Sequence, residues 1–159
     1  MIKNMNVKQK SETRIFIESN CNKKMENEKN IQKIEEEYIG KLDLLSDASS
    51  ICDYLLLLGM EHESDPAIQS DEYRIPGCKS VIYCRVNREN GRVFLKMDSD
   101  SLLIKGALQI VEEMYDGCLV DAIQKHPIRF LEHIPEEVIY KEIRDNGLHK
   151  CYKKMTENS

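Results

Sequence analysis

The chain has 159 residues, a formal net charge of -5 at pH 7, 41% hydrophobic residues and 32% charged residues. This length suits one domain with a single hydrophobic core, and no stretch approaches the roughly 18 consecutive apolar residues that a membrane helix needs. Lys is interleaved with Glu, as at Lys23-Lys24-Met25-Glu26, which argues against nucleic acid as a partner because phosphate binding needs concentrated Lys and Arg.

The first 27 residues are polar and carry no sustained hydrophobic period. They predict a mobile extension over residues 1–27, ahead of a domain that spans residues 28–156. The first ten residues are rich in Lys and Asn and lack the apolar stretch of a secretory signal. We therefore expect a cytoplasmic protein.

Two helices are predicted next. From Ile31 to Leu45, apolar residues recur at helical spacing, as in one stripe of an amphipathic helix. The segment Ser46-Asp47-Ala48-Ser49 offers N-cap chemistry for a second helix. The dense apolar run of that helix is followed by Gly59, where we expect it to end.

A β-hairpin is predicted in the middle of the chain. Residues 80–86 and 93–97 favour strands, and the five residues between Val86 and Arg92 include Asn90-Gly91, which supplies the positive φ of a tight reversal. After it, Asp98-Ser99-Asp100-Ser101 is a helix-start signal. Residues 102–115 then form the most apolar helix of the chain, and shorter helices follow Gly117.

These elements predict an α+β fold. An isolated hairpin is marginal in water, so it needs a further strand or a packed helix. We expect a small antiparallel sheet, made of the hairpin and a third short strand, with helices covering one face.

Six cysteines are present, and none of them forms a CxxC pair or has a His at a useful offset. They are Cys21, Cys52, Cys78, Cys84, Cys118 and Cys151. The sequence therefore carries no local signal for a metal site, which leaves only a zinc site assembled from distant residues, and most of these thiols are expected to be small buried hydrophobes. Between Cys78 and Cys84, an extended chain would separate the sulfurs by roughly 20 Å, too far for a disulfide.

Cys78 stands out by its neighbours. Pro76 fixes φ and Gly77 removes a side chain beside the sulfur, which suits a stiff loop tip that presents one thiol. The alternative is an ordinary Pro-Gly turn with Cys78 packed beneath it. A reactive thiol needs a nearby cation or hydrogen-bond donor. Lys79 is adjacent, although successive side chains on extended backbone point in opposite directions.

Asp98 and Asp100 allow two interpretations. They could act as an acid/base pair or as metal ligands, but capping of the following helix explains them with fewer assumptions.

Four ordered segments together resemble the SufE family of sulfur acceptors. The family's Tyr-Leu-Ile-x-Leu-Gly helix end is similar to Tyr54-Leu55-Leu56-Leu57-Leu58-Gly59, and its Val-Pro-Gly-Cys-Gln-Ser to Ile75-Pro76-Gly77-Cys78-Lys79-Ser80. Its Asp-Ser-Asp-Ala and Lys/Arg-Gly are matched by Asp98-Ser99-Asp100-Ser101 and Lys105-Gly106, and its Arg-Ser-Asn-Gly-Leu by Arg144-Asp145-Asn146-Gly147-Leu148. The chain departs from the pattern at Lys79 (Gln in the family), Tyr83 (Trp) and Lys141-Glu142-Ile143 (Ser-Pro-Ser), which indicates a diverged member.

The resemblance implies a SufE/IscU-like fold and a sulfur-carrier function. In the family, a cysteine thiol takes sulfane sulfur as a persulfide from a pyridoxal-phosphate cysteine desulfurase (SufS-like) and passes it to an iron–sulfur scaffold complex. Here that thiol is Cys78. The resemblance also places Arg144 as a second candidate for activating the thiol, and implies that Asp100 helps hold the cysteine loop. It implies an accessory protein that stimulates the desulfurase, with no cofactor or metal of its own.

Two other functions remain open at this point. A SufE-fold protein that has lost sulfur transfer would act as a non-catalytic binding or regulatory module. A thiol redox sensor would need a resolving thiol within reach of Cys78, and the sequence spacing offers no obvious one.

Overall fold

The computed structural model describes residues 20–157, with side chains from residue 31 onward. The helices are α1 (Asn20–Leu45), α2 (Ala48–Glu61), α3 (Leu102–Tyr115), α4 (Val120–Lys125), α5 (Lys141–Ile143) and α6 (His149–Thr156). The strands are β1 (Ile82–Glu89), β2 (Arg92–Ser99) and β3 (Cys118–Leu119). Short 3-10 helices span Pro66–Ile68 and Phe130–His133, and a π-helical turn, Arg144–Leu148, joins α5 to α6. The predicted α+β fold is confirmed.

The start of the first helix differs from the prediction. Helix α1 begins at Asn20, ahead of the predicted start at Ile31. Residues 1–19 of the predicted mobile extension lie outside the described residues.

The sheet is antiparallel with strand order β1-β2-β3. Strands β1 and β2 pair from Ile82↔Ser99 to Glu89↔Arg92, so the reversal between them has two residues and the predicted five-residue turn is wrong. Asn90 and Gly91 adopt φ of 54° and 78°, and two positive φ values give a turn whose twist matches that of the strands. The predicted third strand is confirmed, since β3 pairs with β2 at Val93↔Cys118.

Helices α2 and α3 cross at two glycines. Helix α2 continues beyond Gly59 to Glu61, so the predicted stop at Gly59 is wrong. A Cβ at Gly59 would lie 1.9 Å from the Leu102 carbonyl oxygen, and one at Gly106 would lie 2.1 Å from the Leu55 carbonyl oxygen. The two glycines therefore allow the helix backbones to approach each other closely.

The starts of α2 and α3 are each capped by one side chain. Asp47 accepts a hydrogen bond from the Ser50 backbone N–H at 2.8 Å, which confirms the N-cap predicted before α2. At α3, Ser101 is the N-cap and accepts from the Ile104 N–H at 3.3 Å. Capping of α3 by Asp98 and Asp100 is therefore wrong, because Asp98 still belongs to β2 and its side chain is buried.

Helix α3 lies across the sheet and supplies much of the hydrophobic core. Its fully buried side chains include Leu108, Ile110, Met114 and Tyr115, and those of β2 include Leu95 and Met97. On β1, helix α6 packs against the side that carries Ile82 and Cys84. Within residues 20–157, no helix has the length and apolar character to cross a membrane.

Candidate functional site at Cys78

Cys78 lies in a loop, residues 76–81, that precedes β1 and is anchored at both ends. At its base, the Ile75 N–H donates to the Ile82 carbonyl at 2.9 Å, and the Cys84 N–H donates to the Tyr73 carbonyl at 2.8 Å. Gly77 adopts a φ of +81°, a conformation that favours glycine. The sequence Pro-Gly-Cys thus forms a short loop on a fixed base, which we call the cysteine loop.

The C-terminal end of the cysteine loop is held by the last residues of β2. The Ser99 hydroxyl donates to the Val81 carbonyl at 2.6 Å. Its neighbour Asp98 accepts from the Gln69 side chain at 2.8 Å and from the Asp65 N–H at 3.1 Å, so it fastens the loop that follows α2. Asp100 is exposed.

The Cys78 thiol faces the protein and is only 7% exposed. It lies against Gly147 of the π-helical turn, where an added Cβ would be 3.0 Å from the Cys78 Sγ and 2.7 Å from the Ile82 Cδ1. The thiol therefore occupies the space that the missing side chain of Gly147 leaves. This position matches the alternative in which Cys78 packs beneath the Pro-Gly turn.

The charges around the thiol come from both sides of the cysteine loop. Burial raises the pKa of Cys78, and the Glu142 carboxylate raises it further. The Ser80 backbone N–H hydrogen-bonds the sulfur and lowers the pKa, as do the positive charges of Lys150 and Arg74. Burial has the largest effect, so the thiol is mostly protonated at neutral pH.

Glu142 and Lys150 also hold the cysteine loop directly. The Lys150 Nζ donates to the Pro76 carbonyl at 2.8 Å. The Glu142 carboxylate accepts from the Lys79 backbone N–H and from the Asn146 side chain, each at 3.4 Å. The helical segment α5–α6 thus contacts the cysteine loop with one negative and one positive side chain.

Two of the predicted site residues, Lys79 and Arg144, make hydrogen bonds with groups other than the Cys78 sulfur. Lys79 is exposed and meets Glu142 through its backbone. The Arg144 guanidinium donates to the backbone carbonyls of Leu131, Ile134 and Ile139, so it fixes the segment that leads into α5. The action of these two cations on the thiol stays a prediction.

Sequence reasoning missed Glu142, Lys150 and the packing role of Gly147. The segment Arg144–Leu148 drew attention to Gly147 only through its resemblance to a family motif. Glu142 and Lys150 have no local signal, because their partners in the cysteine loop lie far away in sequence. Among the described residues, no group of three or more His, Cys, Asp or Glu side chains could hold a metal ion.

A groove of about 460 Å³ lies beside the cysteine loop. Ser80 lines it on the loop side and Ser101 at the start of α3. Cys52 and Tyr140 line it as well, and Tyr140 is 63% exposed. The groove therefore adjoins the loop that carries Cys78.

Comparison with known proteins supports one family. A family model described as "SufE: Fe-S metabolism associated domain" matches residues 36–159. An uncharacterized SufE-like protein of Synechocystis sp. is 28% identical over 82 residues, which cover 52% of this chain and 52% of that protein. The chain thus matches about half the length of this curated relative.

A solved structure supports the fold. The solution structure of a hypothetical protein from Thermus thermophilus has a TM-score of 0.56 to this chain at 15% sequence identity. The similarity covers 80% of this chain and 90% of that one.

Proposed function

Because the chain belongs to the SufE family, which is associated with iron–sulfur metabolism, we propose that it accepts sulfane sulfur as a persulfide on Cys78. The observation that carries this proposal is the placement of Cys78 on an anchored loop. Its thiol is buried beneath that loop against Gly147, and opposite charges from Glu142 and Lys150 lie around it.

The donor in this proposal is a pyridoxal-phosphate cysteine desulfurase that carries a persulfide on its own cysteine. The Cys78 thiolate attacks the terminal sulfur, forming a new S–S bond as the donor's S–S bond breaks. The donor's cysteine leaves as a thiolate. The product is a Cys78 persulfide, which then passes its outer sulfur to an iron–sulfur scaffold.

Transfer requires the buried thiol to turn outward. The anchors at Ile75 and Val81 stay fixed, while the contacts of Lys150 with Pro76 and of Glu142 with Lys79 open. Each is a hydrogen bond at or near the surface, and such a bond contributes only about 0.5–1.5 kcal/mol net. Binding of a partner in the adjacent groove would compensate for this loss.

The experiment is a sulfur-loading assay with a cysteine desulfurase and L-cysteine. Modified thiols are trapped by alkylation and mapped by mass spectrometry. We expect a mass increase of one sulfur on Cys78, which Cys78→Ser abolishes. Cys52→Ser is the matched control, because Cys52 is a half-buried thiol that lines the groove beside the cysteine loop.

Two outcomes would contradict the proposal. If the desulfurase turns over and Cys78 gains no sulfur, the chain is not a sulfur acceptor at this residue. If Cys78→Ser stimulates the desulfurase as well as the unchanged protein does, the chain acts as a binding module without sulfur transfer.

A further inference from the structure

Two further thiols, Cys84 and Cys151, meet directly behind the cysteine loop. Both are fully buried. The Cys151 S–H forms a side-chain hydrogen bond with Cys84, and this bond favours the protonated form of Cys151. Cys151 also interacts electrostatically with Cys78. Cys84 lies on β1 and Cys151 on α6, so the two cysteines come from different elements.

The alignment of β1 with the α5–α6 segment explains why Cys84 and Cys151 are in contact. Gly147 lies against Ile82 and Cys78. Two residues along the strand, about 6.6 Å, lead from Ile82 to Cys84 on the same face. Four residues along the helix, about 6 Å, lead from Gly147 to Cys151. These two distances are nearly equal. Because Gly147 lies against Ile82, Cys151 therefore lies beside Cys84.

Hydrogen bonds also join α6 to β1 further along the strand. The Lys154 Nζ donates to the Cys84 carbonyl. The Arg88 guanidinium donates to the carbonyls of Lys154 at 2.8 Å and Met155 at 2.9 Å. Helix α6 is therefore fixed along β1, with Cys151 beside Cys84.

We propose that Cys151 and Cys84 form a relay that takes the sulfane sulfur of a Cys78 persulfide and releases it as hydrogen sulfide. This inference rests on the proposed function, because it needs sulfur on Cys78. It adds an activity that a single-thiol carrier lacks, which is reduction of the sulfur without an external reductant.

The first step is transfer between thiols. The sulfur of Cys151 attacks the outer sulfur of the Cys78 persulfide, and the S–S bond at Cys78 breaks. Cys78 returns to a thiol with the proton that Cys151 gives up, and Cys151 now carries the persulfide. The added S–S bond extends the reach of Cys78 by about 2 Å, in a thiol that already lies against Gly147.

The second step is reduction of the transferred sulfur. Cys84 attacks the inner sulfur of the Cys151 persulfide, a Cys84–Cys151 disulfide forms, and the outer sulfur leaves as hydrosulfide with the Cys84 proton. The two thiols lose two electrons and the sulfane sulfur gains them, so no further oxidant or reductant is needed. Each disulfide formed corresponds to one sulfide released.

The surroundings of Cys151 determine the rate of the relay. Burial and the bond to Cys84 raise the pKa of Cys151, whereas the positive charge of Lys154 lowers it. A small thiolate fraction makes attack slow, so loading of Cys78 precedes release.

The test follows loaded protein in the absence of added thiol. Full-length protein is loaded by a desulfurase with L-cysteine, separated from both by gel filtration, and incubated anaerobically. We expect about one sulfide per Cys78 persulfide, together with a Cys84–Cys151 disulfide in non-reducing peptide maps. The rate should not change with protein concentration, because the steps occur within one chain.

Three variants separate the steps. Cys151→Ala should keep the persulfide on Cys78 and lose sulfide release. Cys84→Ala should lose the disulfide and accumulate persulfide on Cys151. Cys118→Ala is the matched control, because Cys118 is also buried but lies on β3, and its thiol donates to the Met114 carbonyl at 3.4 Å. It should release sulfide like the unchanged protein.

The outcomes distinguish this inference from the proposed function. If Cys78 holds its persulfide while neither disulfide nor sulfide appears, the relay is wrong and the acceptor role stands. If Cys78 is never loaded, both fail. Should Cys151→Ala or Cys84→Ala not fold, as judged by circular dichroism, the disulfide map of the unchanged protein decides alone.

Discussion

At Cys78, two opposite charges act on one buried thiol. Glu142 raises the pKa of the thiol and Lys150 lowers it, against a background of burial that raises it. Because only the thiolate reacts, burial and the balance between these charges together set the reactivity of Cys78 at neutral pH.

The first prediction concerns this balance. Glu142→Gln should lower the pKa of Cys78, and Lys150→Met should raise it, because each removes a single charge near the sulfur. The measurement is the rate of Cys78 alkylation against pH, which rises as the thiolate forms and reaches a plateau above the pKa. The midpoint reports the pKa, and the plateau reports exposure of the thiol.

The control for this pair is Lys153→Met. Lys153 lies on α6 like Lys150, but its side chain is 67% exposed and pairs with Glu157. It should leave the midpoint unchanged. Equal midpoints in all variants would mean that neither Glu142 nor Lys150 acts on the thiol.

Gly147 leads to the second prediction. Gly147→Ala places a methyl group 3.0 Å from the Cys78 Sγ and 2.7 Å from the Ile82 Cδ1. Overpacking of this kind costs about 1–3 kcal/mol. We expect this loss in the free energy of unfolding, measured with urea, and faster alkylation of a displaced Cys78.

A second glycine separates packing from backbone effects. Gly40 lies in α1 with nothing within 4 Å of an added Cβ, so Gly40→Ala should stabilise the protein by about 0.5–1 kcal/mol. If Gly147→Ala is as stable as the unchanged protein and Cys78 stays unreactive, the close packing at this position has no functional role.

Among the elements, sequence patterns predicted those whose cause is local. Helix α3 occupies the predicted residues 102–115, because its apolar periodicity lies within the segment itself and its N-cap, Ser101, directly precedes it. The role of Gly59 was predicted wrongly, because the reason for that glycine is the backbone of α3. The Pro-Gly-Cys segment identified the candidate thiol, whereas its burial depends on Gly147, which is distant in sequence.

The third prediction concerns the link between β2 and the loop after α2. Hydrogen bonds from Gln69, Ser99 and Asp65 hold the pKa of Asp98 below its ordinary range although burial opposes them. A lowered folded pKa means that this stabilisation is present above the pKa of the unfolded chain, about 3.9. It is lost as the pH falls through the folded pKa.

Asp98→Asn tests this link. It should cost about 1–3 kcal/mol at pH 7, because hydrogen bonds to a carboxylate become bonds to a neutral amide. It should also reduce the loss of stability on acidification. Asp100→Asn is the matched control, since Asp100 is exposed in the same motif and its change should stay within about 0.5 kcal/mol. Equal urea midpoints for both variants from neutral to acid pH would contradict this role of Asp98.

For the molecule as a whole, the groove beside the cysteine loop joins separate parts of the chain into one surface. It combines the start of α2, the cysteine loop and residues 137–143. Tyr140 is an exposed aromatic residue in it, at the N-cap of α5. Exposed tyrosines often dominate binding between proteins, because they bury a large area at low entropic cost.

The fourth prediction separates binding from chemistry on this surface. Tyr140→Ala should weaken desulfurase binding and raise the protein concentration needed for half-maximal stimulation. The maximal rate of Cys78 loading should stay unchanged, since the charges that act on the thiol come from Glu142, Lys150 and Arg74. Phe94→Ala is the matched control, because Phe94 is an aromatic residue on β2 that is 41% exposed outside the groove. Titrations of the desulfurase with both variants measure this difference. A loss with Phe94→Ala and none with Tyr140→Ala would move the binding surface from the groove to the sheet.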